Sequence, residues 1–205
     1  IEYTHKIQVK NEDGKKVEKE APKDEYLKTM TMFCFDNETN DPDLDWLQHG
    51  ITFACTYGLN QEKLLDIYNP LGHSLIEKSE YENGIGMPNS LKKKISNISN
   101  RNFWFSGKII SYENEYCILT ELYDAQHGKL IEKREFIGDD MFKLIDNLSL
   151  QLRYDLDIPS SHIESTECLP LLDIYTNSMK AFEYYVKGKI AYLEYDNTSC
   201  DEGCG

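Results

Sequence analysis

The segment from Lys28 to Gly50 constrains the fold most, because its physical character changes twice within one short stretch. Thr29 to Phe35 is dense in β-branched and aromatic residues and too short for a helix, which predicts a largely buried strand. An acidic loop follows, with Asp36, Glu38, Asp41, Asp43 and Asp45 close together. Asp41 is a good N-cap, Pro42 suits a first helical position, and Asp43 and Asp45 place negative charge at the positive end of a helix dipole. Leu44, Leu47, Ile51, Cys55 and Leu59 then recur at steps of three and four, predicting a surface helix with one apolar stripe. A strand, a loop and a helix returning to the sheet define an α/β unit.

The remaining punctuation extends that unit. Residues 1–25 read as a charged hairpin or linker arm, with Ile7 and Val9 facing Val17 across Asp13-Gly14, a strong hairpin-turn signal. Leu64 to Tyr68 is a short strand candidate, and His73 to Tyr81 a short helix ended near Gly84. A helix starting at Pro88-Asn89-Ser90 carries Leu91, Ile95 and Ile98 on one face and Lys92, Lys93 and Lys94 on the other, which reads as a solvated basic face. Residues 102–111, 115–124 and 129–137 form an antiparallel three-strand meander. A helix capped by Asp139 or Asp140 follows, with Phe142, Ile145, Leu148, Leu152 and Leu156 as its buried stripe. The alternation of strand residues sets Trp104 and Phe105 on opposite faces, with Leu119 and Leu122 expected in the core. The expected architecture is a mixed β-sheet flanked by helices, spanning 26–158, then a connector over 159–176 and a helix with a polar tail over 177–205.

Composition narrows the function. A formal charge of −14 repels phosphate backbones and anionic headgroups, arguing against nucleic acid and direct lipid binding. No apolar run is long enough to span a bilayer, although an anchor upstream of Ile1 is compatible with this sequence. The six cysteines are too scattered for a disulfide framework, and Cys34 and Cys117 read as buried thiols. Cys200 and Cys204 could pair locally or form half of a soft-metal site, but lack a four-ligand pattern.

Phe35-Asp36-Asn37-Glu38-Thr39-Asn40-Asp41-Pro42-Asp43-Leu44-Asp45-Trp46-Leu47-Gln48-His49-Gly50 resembles the opening motif of TolB-amino-terminal-like domains. The resemblance continues at Phe105-Ser106-Gly107-Lys108, through Leu119 to Leu130 with Asp124 and Gly128, and at Phe142 to Leu152. The motif residues are Asn37, Asp41, Pro42, Trp46, Gly50, Gly107, Asp124 and Gly128. Such domains are usually non-catalytic and sit upstream of tetratricopeptide repeats in bacterial envelope or signalling proteins. The resemblance therefore implies a binding or scaffold role on the envelope side.

Tyr184, Gly188 and Tyr192, at spacing four, resemble the first helix of a tetratricopeptide repeat, although Lys187 stands where leucine is usual. Phe182, Tyr184, Tyr185, Tyr192 and Tyr195 are the expected interaction residues, for a protein partner or self-association. No catalytic, cofactor or metal residue is assigned. The histidines occupy no nucleophile elbow or zinc helix, and the acidic loop lacks the glycine and bidentate glutamate of an EF-hand. The alternative reading is an enzyme or metal-dependent binder using Asp36 to Asp45.

Overall fold

Apolar residues that face both ways along one strand decide this architecture. The computed structural model describes residues 2–113 and 115–201, the side chains of Glu82 and residues 194–201 excepted. Among the described residues the chain forms β1 (Thr4–Lys10), β2 (Lys16–Pro22), β3 (Lys28–Asn37), α1 (Leu47–Leu59), β4 (Leu65–Tyr68), α2 (Ser74–Glu77), α3 (Asn89–Ile98), β5 (Phe103–Tyr112), β6 (Glu115–Asp124), β7 (Leu130–Gly138), α4 (Met141–Asp155), α5 (Ser160–Ser165), α6 (Leu171–Ile174) and α7 (Met179–Asp201). β1 and β2 form a separate antiparallel ribbon. The main sheet runs β4-β3-β5-β6-β7; β3 is parallel to β4 and β5, and β5, β6 and β7 form the antiparallel meander. The mixed, helix-flanked sheet expected from the sequence is thus the one observed.

Each face of the sheet has its own core. On one side Met30, Met32, Phe35, Phe105, Ile109 and Leu122 pack in a cluster with Ile51 and Leu59 of α1 and Ile145 and Leu148 of α4. On the other, Phe33, Trp104 and Tyr123 pack with Ile95 of α3. Trp104 and Phe105 point oppositely, as the pleat requires. Leu119 departs from expectation: it lies three residues from Leu122, so it turns to the opposite face and is only half-buried.

β3 reaches both cores through a bulge. Met32 pairs with Phe105 and Phe35 with Gly107, so β3 spends one more residue than β5 over this interval. The displaced Phe33 carbonyl accepts a hydrogen bond from Thr52 Oγ1 of α1 at 3.1 Å. The extra residue returns Phe35 to the α1 side and turns Asp36 to the α3 side.

Several boundaries differ from the reading above. Asp41 caps a 3-10 turn, Pro42–Leu44, and α1 begins only at Leu47. α1 is no surface helix: Leu47 through Cys55 are all buried, because the helix lies between the sheet and both α4 and α7. In α3, Lys92 is buried and Ile98 is exposed, the reverse of the expected faces. Lys92 stands one turn before Ile95 and therefore shares its side of the helix. The N-terminal hairpin is tied down at its base: the Tyr3 ring meets Tyr26 at 5.1 Å and His162 at 5.5 Å, and its hydroxyl lies 2.7 Å from Ser161 Oγ.

The C-terminal helix α7 enters the main core through Phe182 and Val186, both fully buried. Phe182 therefore does not face a partner, and that expectation is corrected: its ring centroid lies 5.7 Å from Trp46, 5.5 Å from Phe142 and 5.0 Å from Tyr175. Phe182→Ala is expected to destabilise the chain by about 3–5 kcal/mol, the usual cost of emptying a packed aromatic site. Urea unfolding measures this, and a cost under about 0.5 kcal/mol, the surface range, would show that α7 adds nothing to the core.

Candidate functional site

The motif residues gather into architecture. Asn37 organises the acidic loop: its Nδ2 donates to the Asp41 carbonyl at 2.9 Å and Asp45 Oδ1 at 2.6 Å, and its Oδ1 accepts from the Thr39 amide at 3.0 Å. Asp41 Oδ1 accepts from the Asp43 amide at 3.0 Å while Pro42 opens the turn, so Asp41 serves capping. Trp46 lies over Gly50, where an added Cβ would stand 3.0 Å from the indole ring. This pair is the seat that receives Phe182. Gly107 is required by the bulge, since a Cβ there would meet the Leu119 carbonyl at 2.3 Å and the Phe35 ring at 2.5 Å. Asp124 and Gly128 build the β6–β7 turn: Asp124 Oδ1 accepts from the His127 amide at 2.8 Å, and Gly128 takes a φ of +74°.

The outward side of α7 carries the exposed aromatics. Tyr184 and Tyr192 are 64% and 65% exposed, and Gly188 between them has nothing within 4 Å of its Cβ position. One helical face thus presents two tyrosines with a gap a turn from each. Lys180 lies over the Tyr184 ring, and Glu183 ties Lys180 at 2.9 Å to Lys187 at 2.6 Å. Tyr185 is part exposed, with its ring against Tyr175 at 5.4 Å and Phe182 at 6.3 Å. Tyr195 belongs to α7, but its side chain, like that of Cys200, lies outside the described set, as does Cys204 altogether.

Two pairings were not legible in the sequence. Cys34 Sγ lies 3.2 Å from His49 Nδ1, a spacing that suits a thiol nucleophile and its base. Burial, however, pushes the Cys34 thiol up to about 12, so the thiolate needed for attack is scarce. His162 Nε2 lies 2.7 Å from Glu62 Oε1, where it helps to close α5 onto the loop after α1. In the acidic loop Asp45 Oδ1 accepts from both Asn37 and Gln48. No group of three or more histidines, cysteines or acids is disposed to hold a metal among the described residues. Nor is any helix there long and apolar enough to cross a membrane.

Lys92 is 6% exposed, and burial pulls its ammonium below the ordinary lysine range while Asp36 and Glu121 oppose that shift. Among the described residues the ammonium makes no hydrogen bond or ion pair. Its signal in the sequence was its one-turn step to Ile95, outweighed by its place in a lysine run.

No protein-family model matches the chain, and no curated protein matches it. Among solved structures it is similar to the LpoB C-terminal domain from Salmonella enterica, with 13% identity and a TM-score of 0.47 over 55% of this chain and 83% of that one. Lipoprotein GNA1162 from Neisseria meningitidis aligns at 14% identity and a TM-score of 0.40, covering 62% of this chain and 94% of that one. TolB from Acinetobacter baumannii aligns at 9% identity and a TM-score of 0.40, covering 75% of this chain and 30% of that one. The likeness to TolB-amino-terminal-like domains therefore rests on the motif residues themselves.

Lys92→Met is expected to stabilise the fold at neutral pH by about 1–3 kcal/mol, by replacing an ammonium that its surroundings partly desolvate and that makes no hydrogen bond. Because the folded-state pKa is lowered, the unfolded chain holds the proton more tightly, and the wild type gains stability as pH rises toward 10.5. The advantage of the variant should shrink over that window, as read by thermal unfolding at stepped pH.

Proposed function

We propose that the chain is a non-catalytic binding or scaffold domain of a larger bacterial envelope or signalling protein, and that it docks a protein helix on the outward side of α7. The carrying observation is the division of that helix: Phe182 and Val186 fix it in the core, while Tyr184 and Tyr192 stand in solvent on either side of Gly188. Tyrosine supplies large contact area at low entropic cost, and a glycine between two tyrosines lets a second backbone approach closely. The envelope or signalling setting comes from the motif resemblance. A metal-dependent role for Asp36 to Asp45 has less support, since Asp41 and Asp45 are already engaged in capping and in binding Asn37.

The form of docking to test is a second copy of the chain, α7 against α7 about a two-fold axis at Gly188. Sedimentation equilibrium of the full chain should show a monomer–dimer equilibrium. Tyr184→Ser combined with Tyr192→Ser should leave Tm unchanged and shift the chain to monomer. A wild type that stays monomeric at high concentration, or a double variant that still dimerises, would overturn self-docking through this side.

A further inference from the structure

The sheet face beneath α3 is longer than the helix that covers it. Ten residues span about 15 Å as α-helix but about 33 Å as strand. The first turn of α3 ends over the Trp104–Tyr123 pair, whose rings stack 4.7 Å apart, with Asn89 Nδ2 donating to the Tyr123 hydroxyl at 3.0 Å. Beside that contact lies a polar cleft of about 270 Å³, lined among others by Asp36, Lys92, Lys108, Glu121 and Lys133.

The charges in this cleft resolve into pairs with one exception. Lys108 binds Glu38 at 2.7 Å, and Lys133 binds Glu121 at 3.2 Å. Two groups remain. The Lys92 side chain, more than nine-tenths buried, makes no hydrogen bond or ion pair among the described residues, although Asp36 and Glu121 act on its charge through space, and Asp36 uses one oxygen, Oδ1, to accept from the Gly86 amide at 3.0 Å. α3 starts at Pro88 with no side-chain cap, so its first amides carry uncompensated positive polarity beside Lys92. Lys92 is buried along its length but lines this cleft, so its ammonium is partly desolvated without a hydrogen bond, and a cleft of this size suits a small solute.

We propose that this cleft binds a free α-amino acid, its carboxylate held by Lys92 beside the first turn of α3 and its α-ammonium donated to Asp36. The complementarity is zwitterionic: a cation without a hydrogen bond and a carboxylate with one oxygen unused line the same cleft, while Lys108 and Lys133 are already matched to Glu38 and Glu121. The cleft lies across the sheet from α1, on which α7 rests, so this inference stands apart from docking through α7.

Alanine, propionate and inorganic phosphate are the probes, titrated into the full ¹⁵N-labelled chain while the amides of Asn89, Ser90, Lys92 and Gly107 are followed. Alanine should give saturable shifts there and bind more tightly than propionate, which lacks the ammonium, and than phosphate. Lys92→Met should weaken alanine by at least about tenfold, the usual worth of a hydrogen bond to a charged group, with Tm reporting that the fold persists. Asp36→Asn keeps the acceptor for Gly86 and should erase the preference for alanine over propionate. Absence of saturable shifts, propionate or phosphate binding as tightly as alanine, or alanine affinity unchanged in both variants would overturn the proposal.

Discussion

The extra residue in β3 is the constraint on which most of the molecule depends. Side chains alternate along a strand, so one inserted residue moves everything beyond it to the other face. Here the insertion falls between Met32 and Phe35. It sends Phe35 into the core under α1, which demands glycine at position 107 across the ladder, and sends Asp36 to the cleft beside Lys92. The carbonyl freed from the ladder is taken by Thr52, so α1 is pinned to the strand at the point of irregularity. Core packing, the glycine requirement and the charge in the cleft follow from one local departure from a regular strand.

A second dependence links the loop after β3 to the C-terminal helix. Asn37 holds the loop closed, the loop sets the start of α1, and the first turn of α1 presents Trp46 over Gly50 as the seat for Phe182. Residues far apart in the chain thus share one aromatic cluster. Burial of this kind contributes several kcal/mol per aromatic ring, which is large beside the marginal net stability of a folded domain.

The sheet, its meander and the α4 stripe were legible because each rests on a strong periodic pattern. Phe142, Ile145, Leu148, Leu152 and Leu156 repeat at helical spacing, and all five are buried. What escaped had no local signature. The bulge depends on hydrogen bonds from α1, the Cys34–His49 approach on the same irregularity, and the burial of Phe182 on a seat built more than a hundred residues earlier. The burial of Lys92 is hidden in the sequence because a run of three lysines outweighs a single one-turn step to Ile95. Tyr184 and Tyr192 are exposed; Phe182, equally aromatic, is not. Which side of a helix meets its own domain is a tertiary fact that composition does not carry.

The borders of the sheet have a consequence for assembly. Unpaired strand edges invite neighbouring chains to add strands, and natural proteins guard them with short strands and charges. β4, on one border, is only four residues long, and Arg101 spans its Asp66 and the Tyr68 ring. β7, on the other, carries Glu132, Lys133, Arg134 and Glu135 in succession, with Arg134 held to Asp155 by hydrogen bonds of 3.1 and 2.7 Å. Both borders of the main sheet are thus guarded against edge-to-edge pairing. Extension of the main sheet by a neighbouring strand is thereby disfavoured at both ends, which leaves its side-chain surfaces, and not its backbone, as the part of the sheet open to contact.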